Sequence, residues 1–397
     1  MTTWAFIMRA SRYPHPTEAL VNPAMHALQC ITCHAQYPVS DMPEGCPNCA
    51  SAGRPSSLEV AYQHHALDFA PRSGSYTWGH WQPYLEGVSL GEGATPCVPV
   101  PTLASLADVA SVWIKNEGAN PTGSHKDRMS AQAVSRALDI GASEVVLASS
   151  GNAAVSAAAY CAAAGLDCEV ATYQALPSVF DAALRYYGAR RVICDNGHAR
   201  WAHVRRRVRE EGAFALTNYS VPAVGSPVFG VEGYRAVALE WVAQGCRPDH
   251  VMVPTARGDL LWGIYSALRD LVTLGHLPKL PRLWAIEPFP RLSRVLAGAP
   301  QQSDFPGTTQ QFSTAGSTVT AQQVHAVRQS GGGAVVIDDA AARDGTRRLA
   351  AAGFWVELCA GAGFAATQAL RADGRIARTE AVMLMLTARG DRDPGQA

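Results

Sequence analysis

Lysine is the scarcest charge in this chain of 397 residues: Lys115, Lys126 and Lys279 stand against thirty arginines. An amine at any one of those positions is therefore not background. Net charge is also lacking, since 33 basic residues balance 33 acidic ones. That balance gives no electrostatic reason to expect nucleic acid or an anionic membrane as a partner. Long apolar runs are absent too. The longest, Ala153 to Leu166, is Ala-rich and too short to span a bilayer, so it reads as a buried helix. Ala5-Phe6-Ile7-Met8 followed by Arg9 and Arg12 is too little for a signal-peptide core, and the expected compartment is the cytoplasm. No internal repeat is visible. What remains is an ordinary globular composition, 48% hydrophobic and 17% charged, in a chain long enough for two or three domains.

Against that background Asn120-Pro121-Thr122-Gly123-Ser124-His125-Lys126-Asp127-Arg128 stands out. A turn built on Pro and Gly delivers one lysine to the first turn of a helix expected over Lys126–Leu138. Unlike a guanidinium, an amine can lose its proton and attack a carbonyl, as Schiff-base chemistry requires. A solvated helix-start lysine is the plainer alternative. Lys115 and Glu117, flanking a strand end, read as an ion pair.

Four of the ten cysteines form Cys30-x2-Cys33, twelve residues, then Cys46-x2-Cys49. Each pair can make a knuckle that points two thiolates at one ion, and two knuckles complete a tetrahedral site, for which zinc is suited. Four reduced thiols or two redox pairs remain the alternative. The segment between them carries turn residues without helical period, as in a zinc ribbon. About thirty residues hold too little core to fold without such a staple. The other six cysteines sit in apolar contexts and read as core.

From Ser111 onward β-branched runs alternate with Ala-rich helical patterns. Expected strands at Val112–Ile114, Glu144–Ala148, Glu169–Thr172 and Arg191–Ile193 precede helices at Lys126–Leu138, Ala153–Ala164, Phe180–Tyr187 and Ala199–Glu211. A second series places helices at Gly230–Gln244, Leu261–Leu274, Ala340–Ala352 and Gly361–Leu370. Its strands are His250–Val253, Leu283–Ile286, Ala334–Ile337 and Ala381–Leu386. This alternation implies an α/β chain with two doubly wound parallel-sheet domains and a ligand cleft at the strands' carboxyl ends. Residues 1–57 would form an arm and the zinc ribbon. Residues 58–397 would form the catalytic region, with a small subdomain at about 121–226. Gly298–Thr320, rich in Gln, Ser, Thr and Gly, reads as a mobile loop near the cleft mouth.

Several blocks together resemble fold-type II pyridoxal-phosphate enzymes, and threonine synthases in particular. They are Ser89-Leu90-Gly91-Glu92-Gly93-Ala94-Thr95-Pro96, the Asn120–Arg128 stretch, Ser149-Ser150-Gly151-Asn152-Ala153, and Leu386-Thr387-Ala388-Arg389-Gly390 with Asp393-Pro394. The resemblance covers roughly residues 28 to 394. It implies that Lys126 holds the cofactor aldehyde as a Schiff base and then shuttles protons. Asn152 would donate to the cofactor's ring oxygen, its alternative being a bare helix cap. Ser149, Ser150 and the backbone amides of Gly151 to Ala153 would receive the substrate carboxylate at a helix start. Thr387 would meet the pyridine nitrogen with a neutral hydroxyl, which tilts chemistry towards elimination and replacement rather than transamination. Arg128 is a candidate for binding substrate phosphate, with a structural salt bridge as its alternative. His125 reads as a ring packed against the cofactor. Glu232-Gly233 and Glu357 match family positions and read as architectural.

The cofactor's phosphate loop departs from the pattern. Where the family has Gly and Asn, this chain has Pro254-Thr255-Ala256-Arg257-Gly258-Asp259-Leu260. Arg257 can pair with a phosphate directly, while Asp259 would repel one unless it turns away to cap the next helix. Ala256, Arg257, Gly258 and Asp259 are thus the expected phosphate contacts. The implied reaction is the conversion of O-phosphohomoserine and water to threonine and phosphate. A β-replacement or β-elimination enzyme, akin to cysteate synthase or an ammonia-lyase, stays open, as does a non-catalytic zinc-ribbon scaffold. The implied partners are a small amino-acid substrate, pyridoxal 5'-phosphate, Zn2+ and a second copy in a homodimer.

Overall fold

A computed structural model describes residues 19–63, 68–72 and 76–393. The N-terminal Ala5–Arg12 segment and Pro394 of the closing motif lie outside the described residues. Two parallel sheets form the body. The larger has six strands in the order Gly333–Val336, Arg282–Glu287, His250–Pro254, Ala381–Leu386, Ser111–Asn116 and Cys97–Pro99. Only the last, an edge strand, runs antiparallel. The smaller sheet orders Arg190–Ile193, Asp167–Thr172, Glu144–Ala148 and Phe214–Ala215, all parallel. Phe214–Ala215, only two residues long, carried no recognisable strand period. Buried Val, Ile, Leu and Met fill the central strands on both faces, as parallel sheets covered by helices require.

The segment expected as one helix over Gly230–Gln244 is two, Val228–Glu232 and Arg235–Ala243. The break places Tyr234, fully buried, against the lysine helix (Lys126–Asp139). Glu232 accepts from the Tyr62 hydroxyl at 2.8 Å and lies 3.5 Å from Arg235, well away from the cleft.

The ribbon is a three-stranded antiparallel sheet, Gln36–Tyr37, Met25–Cys30 and Leu58–Tyr62. Its last strand carries the ribbon past residue 57 to Tyr62. The ribbon also rests on the phosphate-loop side of the body. The Ser57 hydroxyl reaches the Val224 carbonyl and lies 3.3 Å from Gln322 Oε1.

Lys115 does not pair with Glu117. Its Nζ donates to Glu240 at 2.7 Å and to the Thr95 carbonyl at 2.7 Å, while Glu117 takes the Arg128 guanidinium at 2.6 Å. All four side chains are buried. Burial alone would raise the Glu117 carboxyl, but Arg128 and Lys115 hold it down at about 2.

Candidate active site and metal centre

The lysine turn is built by its own side chains. Gly123 takes φ +86°, a left-handed conformation that glycine adopts without strain, and its amide donates to Asn120 O at 2.8 Å. Asp127, one residue into the helix, accepts from the Thr122 amide at 2.6 Å and tethers the turn. Thr387 O accepts from the His125 amide at 2.9 Å and from His125 Nδ1 at 3.1 Å, which fixes where Lys126 enters. Burial, then the Lys126 charge, push the His125 imidazole well below its usual value, so it is neutral.

One cavity of about 390 Å³ gathers most of the expected residues. Lys126, Ser149 to Ala153, Ala256 to Asp259 and Thr387 all line it. Lys126 Nζ donates to the Tyr234 hydroxyl at 3.2 Å. Burial lowers the amine's pKa, and Arg257 lowers it further while Asp259 and Glu357 oppose. A lowered pKa is what a nucleophilic amine needs.

Ser149 Oγ accepts from the Ala154 amide at 3.1 Å, in the first turn of the helix Asn152–Ala164. The amides of Asn152 and Ala153 keep no acceptor among the described residues. A helix start with open amides receives a carboxylate. Asn152 Nδ2 donates to Glu357 Oε2 at 3.3 Å, and its buried Oδ1 has no partner among the described residues.

Gly258, at φ +85°, turns the chain into the helix Asp259–Thr273. Asp259 lines the cavity but its carboxylate is engaged within the wall, accepting from Ser226 Oγ at 2.7 Å and from Gln322 Nε2 at 2.5 Å. Arg257 keeps no carboxylate partner among the described residues, and its buried Nε has no acceptor. Arg291 braces the loop from behind through Thr255 O at 2.9 Å.

Arg128 does not reach the cavity. Its guanidinium is spent on Glu117 and Glu240, the latter at 2.7 Å, behind the lysine helix. The lysine helix presents position 128 to the opposite side from position 126, which adjacency in sequence concealed.

Three contributors carried little or no signal. Glu357 is fully buried at the helix Leu358–Ala372 and accepts from Thr387 Oγ1 at 2.6 Å and Ser313 Oγ at 2.7 Å. Burial raises its carboxyl above the usual range. Tyr234, which touches the site through the Lys126 amine, and the Phe312–Thr318 wall of the cavity come from distant sequence. That wall belongs to the expected mobile loop, yet Gln311 Nε2 ties it to Ile337 O at 2.7 Å.

The donor set fits pyridoxal phosphate. A buried amine of lowered pKa faces a cavity that also holds the Arg257 guanidinium with its unpartnered Nε, the Asn152 side-chain amide, whose Nδ2 donates, and the Thr387 hydroxyl. The four ribbon sulfurs lie within 4.8 Å of one another, with Cys30–Cys49 and Cys33–Cys46 each 3.6 Å apart. A regular tetrahedron of Zn–S bonds needs about 3.8 Å between sulfurs. Amides of Thr32 and Cys33 donate to Cys30 Sγ at 3.4 Å, and Tyr37 lies 3.1 Å from Cys46 Sγ. The cluster is compatible with a metal ion. Among the described residues no helix is long and apolar enough to cross a membrane.

Residues 88–388 match the family model described as pyridoxal-phosphate dependent enzyme. Threonine synthase of Methanosarcina acetivorans is 28% identical over 392 residues, covering 93% of each chain. That of Methanocaldococcus jannaschii is 27% identical over 391 residues with the same coverage. Among solved structures, a pyridoxal 5'-phosphate-dependent aspartate racemase superposes with TM-score 0.65 at 21% identity, over 76% of this chain and 92% of its own. An O-ureido-L-serine synthase gives 0.62 at 24% identity, over 77% and 90%.

Proposed function

Because the chain belongs to the pyridoxal-phosphate dependent enzymes, we propose that it acts as a threonine synthase, converting O-phosphohomoserine and water to threonine and phosphate. The observation that carries this reading is the single cavity shared by the Lys126 amine, the open helix start at Asn152 and the Arg257 loop. When bound, the cofactor supplies an electron sink that lets protons leave carbons near the amino group.

The chain's own residues then bind, orient and move protons. Lys126 Nζ would hold the cofactor aldehyde and, once released, carry protons between substrate carbons within the closed cavity. The Asn152 and Ala153 amides, with Ser149 and Ser150, would orient the substrate carboxylate. The Arg257 guanidinium and the amides from Ala256 to Asp259 would receive the cofactor's phosphate. Thr387 Oγ1 donates to Glu357 in this structure and would turn that proton to the pyridine nitrogen once the cofactor is held. Zn2+ would staple the ribbon, in a homodimer in the cytoplasm; metal analysis and solution mass read these directly.

The test is incubation of cofactor-loaded protein with O-phosphohomoserine, following threonine and phosphate together. Equal release of both supports the reading. Ammonia or sulfide release from serine- or cysteine-type substrates, with O-phosphohomoserine inert, overturns it in favour of elimination or replacement.

A further inference from the structure

Buried guanidinium groups are rarely left without a carboxylate. Arg128, Arg136, Arg235 and Arg291 obey this, pairing with Glu117 and Glu240, Asp41 and Asp139, Asp270, and Glu287. Two half-buried arginines that line the cavity, each with a buried Nε, pair with no carboxylate among the described residues. Arg257 is one. The other is Arg200, in the first turn of the helix Gly197–Glu211, whose start is capped by Asn196 Oδ1 on the Ala199 amide at 2.9 Å. The Arg200 guanidinium lies 4.0 Å from the Tyr173 ring centre, and Nη1 donates to Ser150 Oγ at 3.2 Å. Its buried Nε has no acceptor, and no carboxylate pairs with it among the described residues. Burial, and then repulsion from Arg257, weaken its hold on the proton.

One cavity thus holds three receivers for negative charge: the open helix start at Asn152, the Arg257 loop, and Arg200. The proposed reaction uses two of them, for the substrate carboxylate and the cofactor phosphate. The third needs an anion on the substrate's side chain. We propose that Arg200 is the site that binds a phosphate monoester carried by that side chain, held beside the carboxylate site by its bond to Ser150 Oγ. This rests on the reading of the reaction above. Arg200 is stacked on Tyr173, keeps its Nε without a partner among the described residues and stands beside a hydroxyl, which suits a dianion with three oxygens better than a carboxylate with two.

The experiment titrates inorganic phosphate into cofactor-loaded protein by calorimetry, comparing the native chain with Arg200→Gln and Arg200→Lys. Absorbance of the lysine-bound cofactor reports that each variant is folded and loaded. The expected result is phosphate binding beyond the cofactor's own, weakened roughly tenfold or more in Arg200→Gln and less in Arg200→Lys. Undiminished affinity in Arg200→Gln overturns the assignment, as does native protein that binds no phosphate. Tighter binding of malonate than of phosphate also overturns it, because the site would then select a carboxylate. Arg200-dependent phosphate binding without phosphate release from any amino acid would sink the reaction while leaving the site standing.

Discussion

The Thr387 hydroxyl donates to Glu357 Oε1 at 2.6 Å, so a carboxylate stands one hydroxyl behind the wall expected to meet the pyridine nitrogen. Thr387 alone looked neutral. Its partner makes its hydrogen bonding depend on a buried acid whose pKa is raised by burial.

Glu357→Gln follows from that pair. A carboxyl raised in the folded state stabilises the fold most below its unfolded value, near pH 4.5, and loses that contribution as pH rises through the folded value. The glutamine variant is therefore expected to gain melting temperature relative to the native chain as pH increases. Turnover should fall about 10-fold or more from the disturbed Thr387 and Asn152 contacts. Parallel melting curves from acid to neutral pH would contradict the assignment.

Lys126→Ala removes the amine. Borohydride reduction of loaded protein should then leave no modified residue at position 126, and turnover should drop by roughly 10²–10⁴-fold. Peptide mass analysis after reduction decides it.

Arg257→Gln tests the altered phosphate loop. Losing a charge-assisted bond of about 1.5–3 kcal/mol should weaken cofactor binding about 10- to 100-fold. Titration of the cofactor-free protein, read by Tyr and Trp fluorescence, measures it. Unchanged affinity would assign the phosphate to the backbone amides alone.

Arg128→Met should act on stability instead. It strands Glu117 and Glu240 in the interior, at a cost of about 3–5 kcal/mol. Cofactor affinity of the folded fraction should stay within about twofold of native. The same network predicts acid sensitivity: with Glu117 held at about 2, below its unfolded value, its stabilisation is present above about pH 4.5 and lost as pH falls through 2. Denaturant midpoints across that range report it.

Cys46→Ser, or chelation, should remove about one metal ion per chain and unfold the ribbon. The ribbon's Ser57 touches Gln322, whose Nε2 donates to Arg257 O at 2.9 Å. Metal loss is thus expected to weaken cofactor binding severalfold. Equal cofactor affinity with and without metal would show the contact to be passive.

Period and turn chemistry made the alternating strands and helices readable, because apolar spacing and Gly-Pro punctuation act within a few residues. The Lys126 turn, the cysteine knuckles and the Asn152 helix start were legible for the same reason. Tyr234 was not, since a break inside a continuous apolar pattern aims it. For Arg128 the sequence left substrate phosphate and a structural salt bridge both open, and the structure has the salt bridge, because adjacency along a helix says nothing about which face a neighbour serves.

The order of residues by itself determined the α/β class, the amine, the cysteine quartet and the open helix start, all set by short-range geometry. Only the tertiary structure decided that Lys115 pairs with Glu240, that Asp259 turns towards Ser226, and that Glu357 and Arg200 face the same cavity as Lys126. Those pairings join residues far apart in the chain. Their partners are chosen by how two sheets pack and by the cost of burying a charge alone, which no local pattern encodes.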